Sequence, residues 1–113
     1  MKSKILALSK NEEFKNLLKG KKISNKYVTI FFDQLKNKNK NKLNISFVAK
    51  KKIGNAVKRN KIKRRLKNIT NEAVKEIAIK FKYSYLVIAK PTMLNNAYAN
   101  IKETLIQDFK NIK

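Results

Sequence analysis

The stretch GNAVKRNKIKRRLKNITNEAVKEI, residues 54–77, carries the clearest structural pattern in the chain. Its apolar residues recur at spacings of 4, 3, 4 and 4, and they are Ile62, Leu66, Ile69, Ala73 and Ile77. This repeat is typical of one face of an α-helix, and a glycine just before it is a common boundary. The sequence therefore predicts one long helix over residues 55–81, with a single apolar stripe to bury.

Shorter patterns on both sides of this helix predict strands and two more helices. β-branched and aromatic residues favour strands over 27–35, 43–49 and 83–89, with a weaker candidate at 23–25. A first helix is predicted over 9–19, where Ser9 and Glu12 form a capping box, and a last helix from about residue 95. The order α-β-β-α-β-α predicts an α+β sandwich, a single domain over residues 1–113, with helices on one side of a mostly antiparallel sheet.

The charge balance predicts a polyanionic partner. The 113 residues include 29 Lys and Arg against 7 Asp and Glu, a formal net charge of +22. Nucleic acid and an anionic membrane surface both fit such an excess. The apolar runs are too short for a membrane-spanning helix or a signal peptide, so we expect a soluble, cytoplasmic protein.

The missing residue types exclude several classes of enzyme. The chain has no Cys and no His. This excludes disulfides, thiol catalysis, a Ser-His-Asp triad, and the usual zinc, copper and non-haem iron sites. We therefore predict no catalytic side chain and no metal-ligating residue.

The basic residues are concentrated before and within the first half of the long helix. Residues 50–67 contain ten Lys or Arg and no acid, so no Glu at i±4 neutralises them. On a helical wheel centred on Ile62, the side chains of Lys63, Lys67, Asn60 and Arg64 fall between about 100° and 200°. Arg59 falls at about 60°, close to the apolar stripe. Lysine point charges and an arginine fork in one arc suit a phosphate backbone.

A second candidate site combines apolar side chains from the first helix and the first long strand. Phe14 and Leu18 lie one helical turn apart. Val28, Ile30 and Phe32 share one face of the strand, whereas Tyr27, Thr29 and Phe31 share the other. One face must pack in the core, and an open one could stack the bases of single-stranded RNA. The alternation does not decide between the faces, and plain core packing is the alternative for each residue.

The basic stretch closely resembles a family signature. Residues 51–57 (KKIGNAV) and 58–67 (KRNKIKRRLK) match the KKxGNAV run, the RN pair and the KR pair of the bacterial ribonuclease P protein component. The flanks NEEF at 11–14 and IAKP at 88–91 are similar to the family as well. The resemblance thus extends over nearly the whole chain.

The resemblance implies a fold and an activity. The fold would be the small α/β sandwich of the second domain of ribosomal protein S5, with a mixed sheet and an unusual left-handed βαβ crossover. The protein would be the accessory subunit of an endonuclease that removes the 5′ leader from precursor tRNA. Catalysis would lie on the RNA subunit with Mg²⁺. The partners would be that RNA and precursor tRNA, with the protein a monomer in a 1:1 complex.

The resemblance also implies site residues. Those expected to bind the RNA subunit are Lys51, Lys52, Asn55, Arg59, Asn60, Lys63, Arg64 and, by helical phase, Lys67. Those expected to line the leader cleft are Phe14, Leu18, Ile30 and Phe32, with Phe31 as an alternative to Phe32. Without the signature, a generic RNA-binding or ribosomal protein lacking a nuclease role would be the leading interpretation. A membrane-active basic protein is disfavoured because both long helices have ordinary core stripes.

Overall fold

A mixed sheet of five strands organises the chain. The computed structural model describes residues 5–6, 11–34, 43–77 and 83–112. The strand order is β1-β4-β5-β3-β2. The strands are β1 (Ile5–Leu6), β2 (Lys21–Ser24), β3 (Val28–Gln34), β4 (Leu43–Val48) and β5 (Tyr83–Ala89).

Three α-helices and two short 3₁₀ turns complete the fold. The helices are α1 (Asn11–Leu18), α2 (Ala56–Glu76) and α3 (Tyr98–Asn111), and the turns are Lys51–Ile53 and Pro91–Asn95. All three predicted helices and the three long strands are confirmed, with bounds that differ by a few residues. α2 ends at Glu76, and residues 78–82 and Ser9 of the predicted capping box lie outside the described residues.

The strand pairing corrects the prediction of a mostly antiparallel sheet. The pairs β1–β4 and β4–β5 are parallel, whereas β2–β3 and β3–β5 are antiparallel. The parallel pair β4–β5 arises because α2 carries the chain back along the sheet between these strands, as a βαβ unit requires. The mixed sheet is therefore confirmed, and the left hand of this crossover stays a prediction.

The sheet buries apolar residues on both of its faces. Tyr85, Val87 and Ala89 of β5 join the main core with α2 and α3. Leu86, which points to the other face, packs in a second cluster with Leu17 of α1. The prediction of helices on one side is therefore wrong, because a strand that is apolar on both faces needs cover on both.

Ion pairs and a hydrogen bond join the second half of α2 to α3. Lys102 Nζ lies 3.1 Å from Glu72 Oε2 and 3.0 Å from Glu76 Oε1. Tyr98 Oη lies 3.2 Å from Glu72 Oε2. The hydrogen bonds to Glu76 and Glu72 raise the pKa of Lys102 above its usual value. The acidic residues of α2 are thus engaged by α3, away from the basic half of the helix.

Among the described residues, none of the helices combines the length and the apolar character needed to cross a bilayer.

The two leucines at the end of α1 provide a test of the second cluster. Leu17 is 2% exposed and Leu18 is 51% exposed. We expect Leu17→Ala to lower the free energy of unfolding by about 2–3 kcal/mol through lost burial and a cavity. Leu18→Ala, the matched control, should cost less than about 1 kcal/mol. Urea denaturation of both variants measures the difference, and equal losses would contradict the packing of α1 on the sheet.

Candidate nucleic-acid interface

The buried stripe of α2 fixes which side chains face outward. Ile62, Leu66, Ile69 and Ala73 are each 1% exposed or less, so the helix cannot rotate about its axis without exposing them. The polar residues predicted on one arc are all exposed, and we call them the basic arc: Asn60, Lys63, Arg64 and Lys67. The amphipathic pattern thus places four of the predicted site residues together.

An open groove lies on the basic arc. It has a volume of about 440 Å³ and is lined by Asn60, Lys63, Arg64 and Val57. Val57 is 73% exposed, which is unusual for a branched apolar side chain. Apolar surface beside two cations can contact a sugar or a base while the cations bind phosphate. Sequence reasoning missed Val57, although its position seven residues before Arg64 placed it on the polar side of the wheel.

Arg59 lies at the edge of the arc, as its position on the wheel indicated. The residue is half-buried. Its Nε atom is buried and has no hydrogen-bond partner in the described structure. A buried donor without a hydrogen-bond partner costs free energy. Arg59 thus places a cation near the surface while its Nε atom has no acceptor among the described residues. The outer nitrogens of this guanidinium are the part of Arg59 suited to an external anion.

The start of α2 is built by a glycine and a cap. Gly54 adopts a φ of 154°, which favours glycine, and its N–H donates to the Lys51 carbonyl. Asn55 Oδ1 accepts from the Lys58 N–H at 3.0 Å, so its side chain is an N-cap. Lys51 and Lys52 are exposed on the preceding 3₁₀ turn, whose Ile53 is anchored in the core. Asn55, predicted to bind RNA, therefore has a structural role that sequence reasoning did not assign.

A second groove lies on the sheet, on the face opposite α2 and α3. Its volume is about 300 Å³, and its walls combine lysines with apolar side chains. The lining residues are Lys22, Thr29, Phe31, Lys50, Lys52, Ile88, Ala89, Lys90 and Pro91. We call this the sheet groove.

Hydrogen bonds hold one cation of the sheet groove in place. Lys90 Nζ donates to Ser24 Oγ at 2.8 Å and to the Asn25 carbonyl at 2.5 Å. The Asn25 side chain in turn accepts from the Val28 N–H at 2.9 Å and donates to Asp108 Oδ2 at 2.5 Å. Lys90 is thus tied to the β2–β3 turn and, through Asn25, to α3.

The predicted leader cleft needs correction. Ile30 and Phe32 are 0% and 7% exposed in the main core, so they do not line an open cleft, and their prediction is wrong. Their face of β3 points toward α2 and α3, whereas Phe31 points into the sheet groove. Leu18 is exposed at the end of α1 but is not part of the groove lining. Phe14 lies in α1, and its side chain falls outside the described residues.

Several lining residues of the sheet groove were not predicted. Lys22 lies on β2, whereas Lys50 and Lys90 lie just after β4 and β5, and the sheet brings the three together. Lys52, predicted with the basic arc, lines this groove instead of the groove on α2. The alternation of Phe31 with Phe32 contained the signal for the aromatic residue, but only the pairing of β3 with β5 decides its face.

The described residues do not form a metal centre. In the ranges covered by the structure, no three carboxylates, histidines or cysteines come together. The carboxylates of α2, Glu72 and Glu76, are paired with Lys102. Mg²⁺ in proteins is bound by carboxylate oxygens and waters, and these two carboxylates are engaged by a lysine instead.

Comparisons with known proteins agree on one family. The Ribonuclease P family model matches residues 3–113. The ribonuclease P protein component of Carboxydothermus hydrogenoformans is 36% identical over 110 residues, covering 94% of this chain and 90% of that protein. The protein of the same name from Mycoplasma mycoides subsp. mycoides is 32% identical over 106 residues, covering 94% of each chain.

Solved structures share the fold. The ribonuclease P protein from Thermotoga maritima matches with a TM-score of 0.80 at 24% identity, covering 96% of this chain and 98% of that one. A Staphylococcus aureus ribonuclease P protein mutant matches with a TM-score of 0.79 at 26% identity, covering 92% of this chain and 85% of that one. The α+β fold implied by the sequence resemblance is thereby confirmed.

The cap at Asn55 can be separated from any role in binding. We expect Asn55→Ala to lower the free energy of unfolding by about 1 kcal/mol, because the Lys58 N–H loses its acceptor. Asn55→Ser retains a capping oxygen and should change stability by only a few tenths of a kcal/mol. Thermal or urea unfolding of the two variants tests this difference. Equal stability of the Ala and Ser variants would contradict the capping role.

Proposed function

The chain belongs to the bacterial ribonuclease P protein family, whose members are subunits of the tRNA-processing ribonuclease, and we propose how its two surfaces serve that enzyme. The basic arc with Arg59, Lys51 and Asn55 binds the catalytic RNA subunit. The sheet groove binds the single-stranded 5′ leader of precursor tRNA. The observation that carries this assignment is the pair of cationic grooves on opposite sides of the sheet.

The basic arc fits an RNA backbone because it is exposed, lies on a helix of fixed orientation, and forms none of the ion pairs found among the described residues. Its residues lie on a helix that the core holds in one rotation, so the cations are preorganised. Arg64 offers a planar fork for phosphate, Lys63 offers a point charge, and Asn60 can donate and accept at a sugar or base edge. Phosphate contacts of this kind bind strongly at low salt and position the RNA without reading its sequence.

The sheet groove fits a single strand because an aromatic face adjoins several cations. Phe31 offers a ring on which a base can stack, and Ile88 extends the apolar surface beside it. Lys22, Lys52 and Lys90 lie around them, where the phosphates of the leader would pass. Stacking accepts any base, which suits an enzyme that processes many different leaders.

Catalysis is assigned to the RNA subunit. Two observations support this: the sequence lacks His and Cys, and the described carboxylates of α2 are held in ion pairs. We assign Mg²⁺ to the RNA subunit as well, since Glu72 and Glu76 of α2 are engaged by Lys102. The protein then acts by binding and positioning the precursor tRNA. This raises the rate of cleavage because it raises the effective concentration of substrate at the catalytic RNA.

Three finer features stay predictions. They are a protein monomer, one protein per RNA subunit, and a cytoplasmic location.

The function can be tested by reconstitution. The chain is mixed with a ribonuclease P RNA, and precursor tRNA cleavage is measured at low Mg²⁺. We expect the protein to raise kcat/KM, and Lys63→Gln with Arg64→Gln to weaken binding to the RNA subunit. Loss of two phosphate contacts should make the plot of log Kd against log salt shallower by about 1.4–1.8.

A charge-matched variant controls for the effect of net charge. Lys75→Gln with Lys110→Gln removes the same two charges at exposed positions away from both grooves. It should leave the slope nearly unchanged. Cleavage that does not respond to the protein would contradict the proposed function, and equal slopes for the two variants would contradict the basic arc.

The leader site can be tested with a substitution that keeps the packing. Phe31→Leu retains an apolar side chain beside Leu17 but removes the stacking ring. We expect it to weaken holoenzyme affinity for precursor tRNA by about 1 kcal/mol or more, since one stacked base contributes roughly 1–3 kcal/mol. Affinity for mature tRNA, which lacks the leader, should not change. Equal loss for the two RNAs would contradict leader binding at Phe31.

A further inference from the structure

Lys90 differs from the other lysines of the sheet groove because its ammonium group is held in place. Lys90 is half-buried, and its Nζ donates to Ser24 Oγ at 2.8 Å and to the Asn25 carbonyl at 2.5 Å. The other three lysines of the lining are exposed, and their side chains form no hydrogen bond or ion pair within the part of the chain that the structure describes. Among the described lysines of this groove, Lys90 is thus the one whose position the fold fixes.

The Asn25 carbonyl that accepts from Lys90 belongs to a tightly bonded turn. The Asn25 N–H donates to the Val28 carbonyl at 2.9 Å, and Asn25 Oδ1 accepts from the N–H groups of Tyr27 at 2.7 Å and Val28 at 2.9 Å. Asn25 Nδ2 donates to Asp108 Oδ2 of α3. Each polar atom of Asn25 is therefore engaged, so the turn presents its carbonyl to Lys90 in one orientation.

The Ser24 hydroxyl lies on the groove side of the sheet but is not part of the groove lining. Ser24 pairs with Thr29 between β2 and β3, and the side chains of paired residues lie on the same face. Thr29 lines the groove, and its Oγ1 lies 3.2 Å from Ser24 Oγ. A ligand in the groove would therefore feel Ser24 through Lys90 or Thr29.

Two hydrogen bonds set the direction of the third donor of Lys90. An ammonium group has three N–H donors. Ser24 and Asn25 accept from two of them, and the third has no acceptor among the described residues. Because Lys90 lines the groove, a phosphate in the groove would meet a donor that is already oriented. A flexible lysine loses conformational freedom when it binds, whereas a lysine that is already held loses less.

We propose that Ser24 is a positioning residue for leader binding, and that it acts by holding the Lys90 ammonium toward a phosphate of the leader. This rests on the proposed function, in which the sheet groove binds the leader. Ser24 itself does not contact the RNA. The sequence pattern does not reveal this role, because Ser24 and Lys90 are 66 positions apart and the sheet brings them together.

A substitution series at Ser24 tests the role of its hydroxyl. Ser24→Ala removes the acceptor, and Ser24→Thr keeps it. We expect Ser24→Ala to weaken holoenzyme affinity for precursor tRNA by about 2- to 10-fold, since Lys90 must then be ordered on binding. Ser24→Thr should bind like the wild type, and affinity for mature tRNA should change in neither variant.

The salt dependence of binding distinguishes a repositioned cation from a lost one. Ser24→Ala keeps the charge of Lys90, so the slope of log Kd against log salt should stay the same for precursor tRNA. Lys90→Met removes the charge and should make this slope shallower by about 0.7, the value for one phosphate contact on a single strand. A slope change in Ser24→Ala equal to that in Lys90→Met would contradict positioning.

Thr92→Val controls for a merely structural role of the turn between β2 and β3. Thr92 Oγ1 donates to the Lys26 carbonyl at 2.6 Å, so this variant loosens the same turn without removing an acceptor of the Lys90 ammonium. We expect its affinity for precursor tRNA to stay at the wild-type level. A loss as large as that of Ser24→Ala would overturn the inference, because bracing of the turn would explain both.

A double-mutant cycle tests whether Ser24 acts through Lys90. We expect Ser24→Ala to have no further effect on affinity in a Lys90→Met protein. A full effect in that background, or wild-type affinity of Ser24→Ala alone, would overturn the inference and leave the leader site intact. Wild-type affinity of Lys90→Met would overturn the inference as well. If Phe31→Leu is also without effect, the leader site of the proposed function fails with it.

Discussion

Burial of the apolar stripe of α2 is the interaction on which the rest of the structure depends. Ile62, Leu66 and Ile69 are almost fully buried against the sheet. Each such side chain contributes about 1.5–3 kcal/mol on leaving water. The like charges along the same helix cost only a few tenths of a kcal/mol per pair. Burial therefore dominates, and a helix with seven basic residues between positions 58 and 67 still packs in one orientation.

The two faces of the sheet pack against different helices, α2 and α3 on one face and α1 on the other. Along β5, Tyr85 and Val87 support α2 and α3, while Leu86 and Ile88 support α1 and the sheet groove. A substitution at one of these positions acts on one side first, since successive side chains of a strand point in opposite directions. The same seven-residue strand thus underlies the helix proposed to bind RNA and the groove proposed for the leader.

Helices and strands with a regular spacing of apolar residues could be predicted from the sequence. Which face of a strand packs in the core could not. The stripe of α2 has a period that only a helix fits, and it also placed Arg59 at the edge of the core. Ile30 and Phe31 are both apolar neighbours on a strand, so their pattern is the same whichever one faces inward. Pairing with β5 on one side and β2 on the other decides the matter, and pairing is not local. The two-residue strand β1 is likewise defined by its distant partner β4.

The first turn of α2 has a thermodynamic consequence for assembly. That turn contains no acidic residue to match the positive end of the helix dipole, and its order depends on the Asn55 cap and the Gly54 turn. The free amide groups of this turn and the Lys58 ammonium therefore have no acidic residue of the same turn beside them. An RNA phosphate bound at this end would stabilise the ordered first turn. Binding of the RNA and ordering of this turn would then be thermodynamically linked. The absence of an acidic residue thus lowers the stability of the free helix by the part that a bound anion would supply.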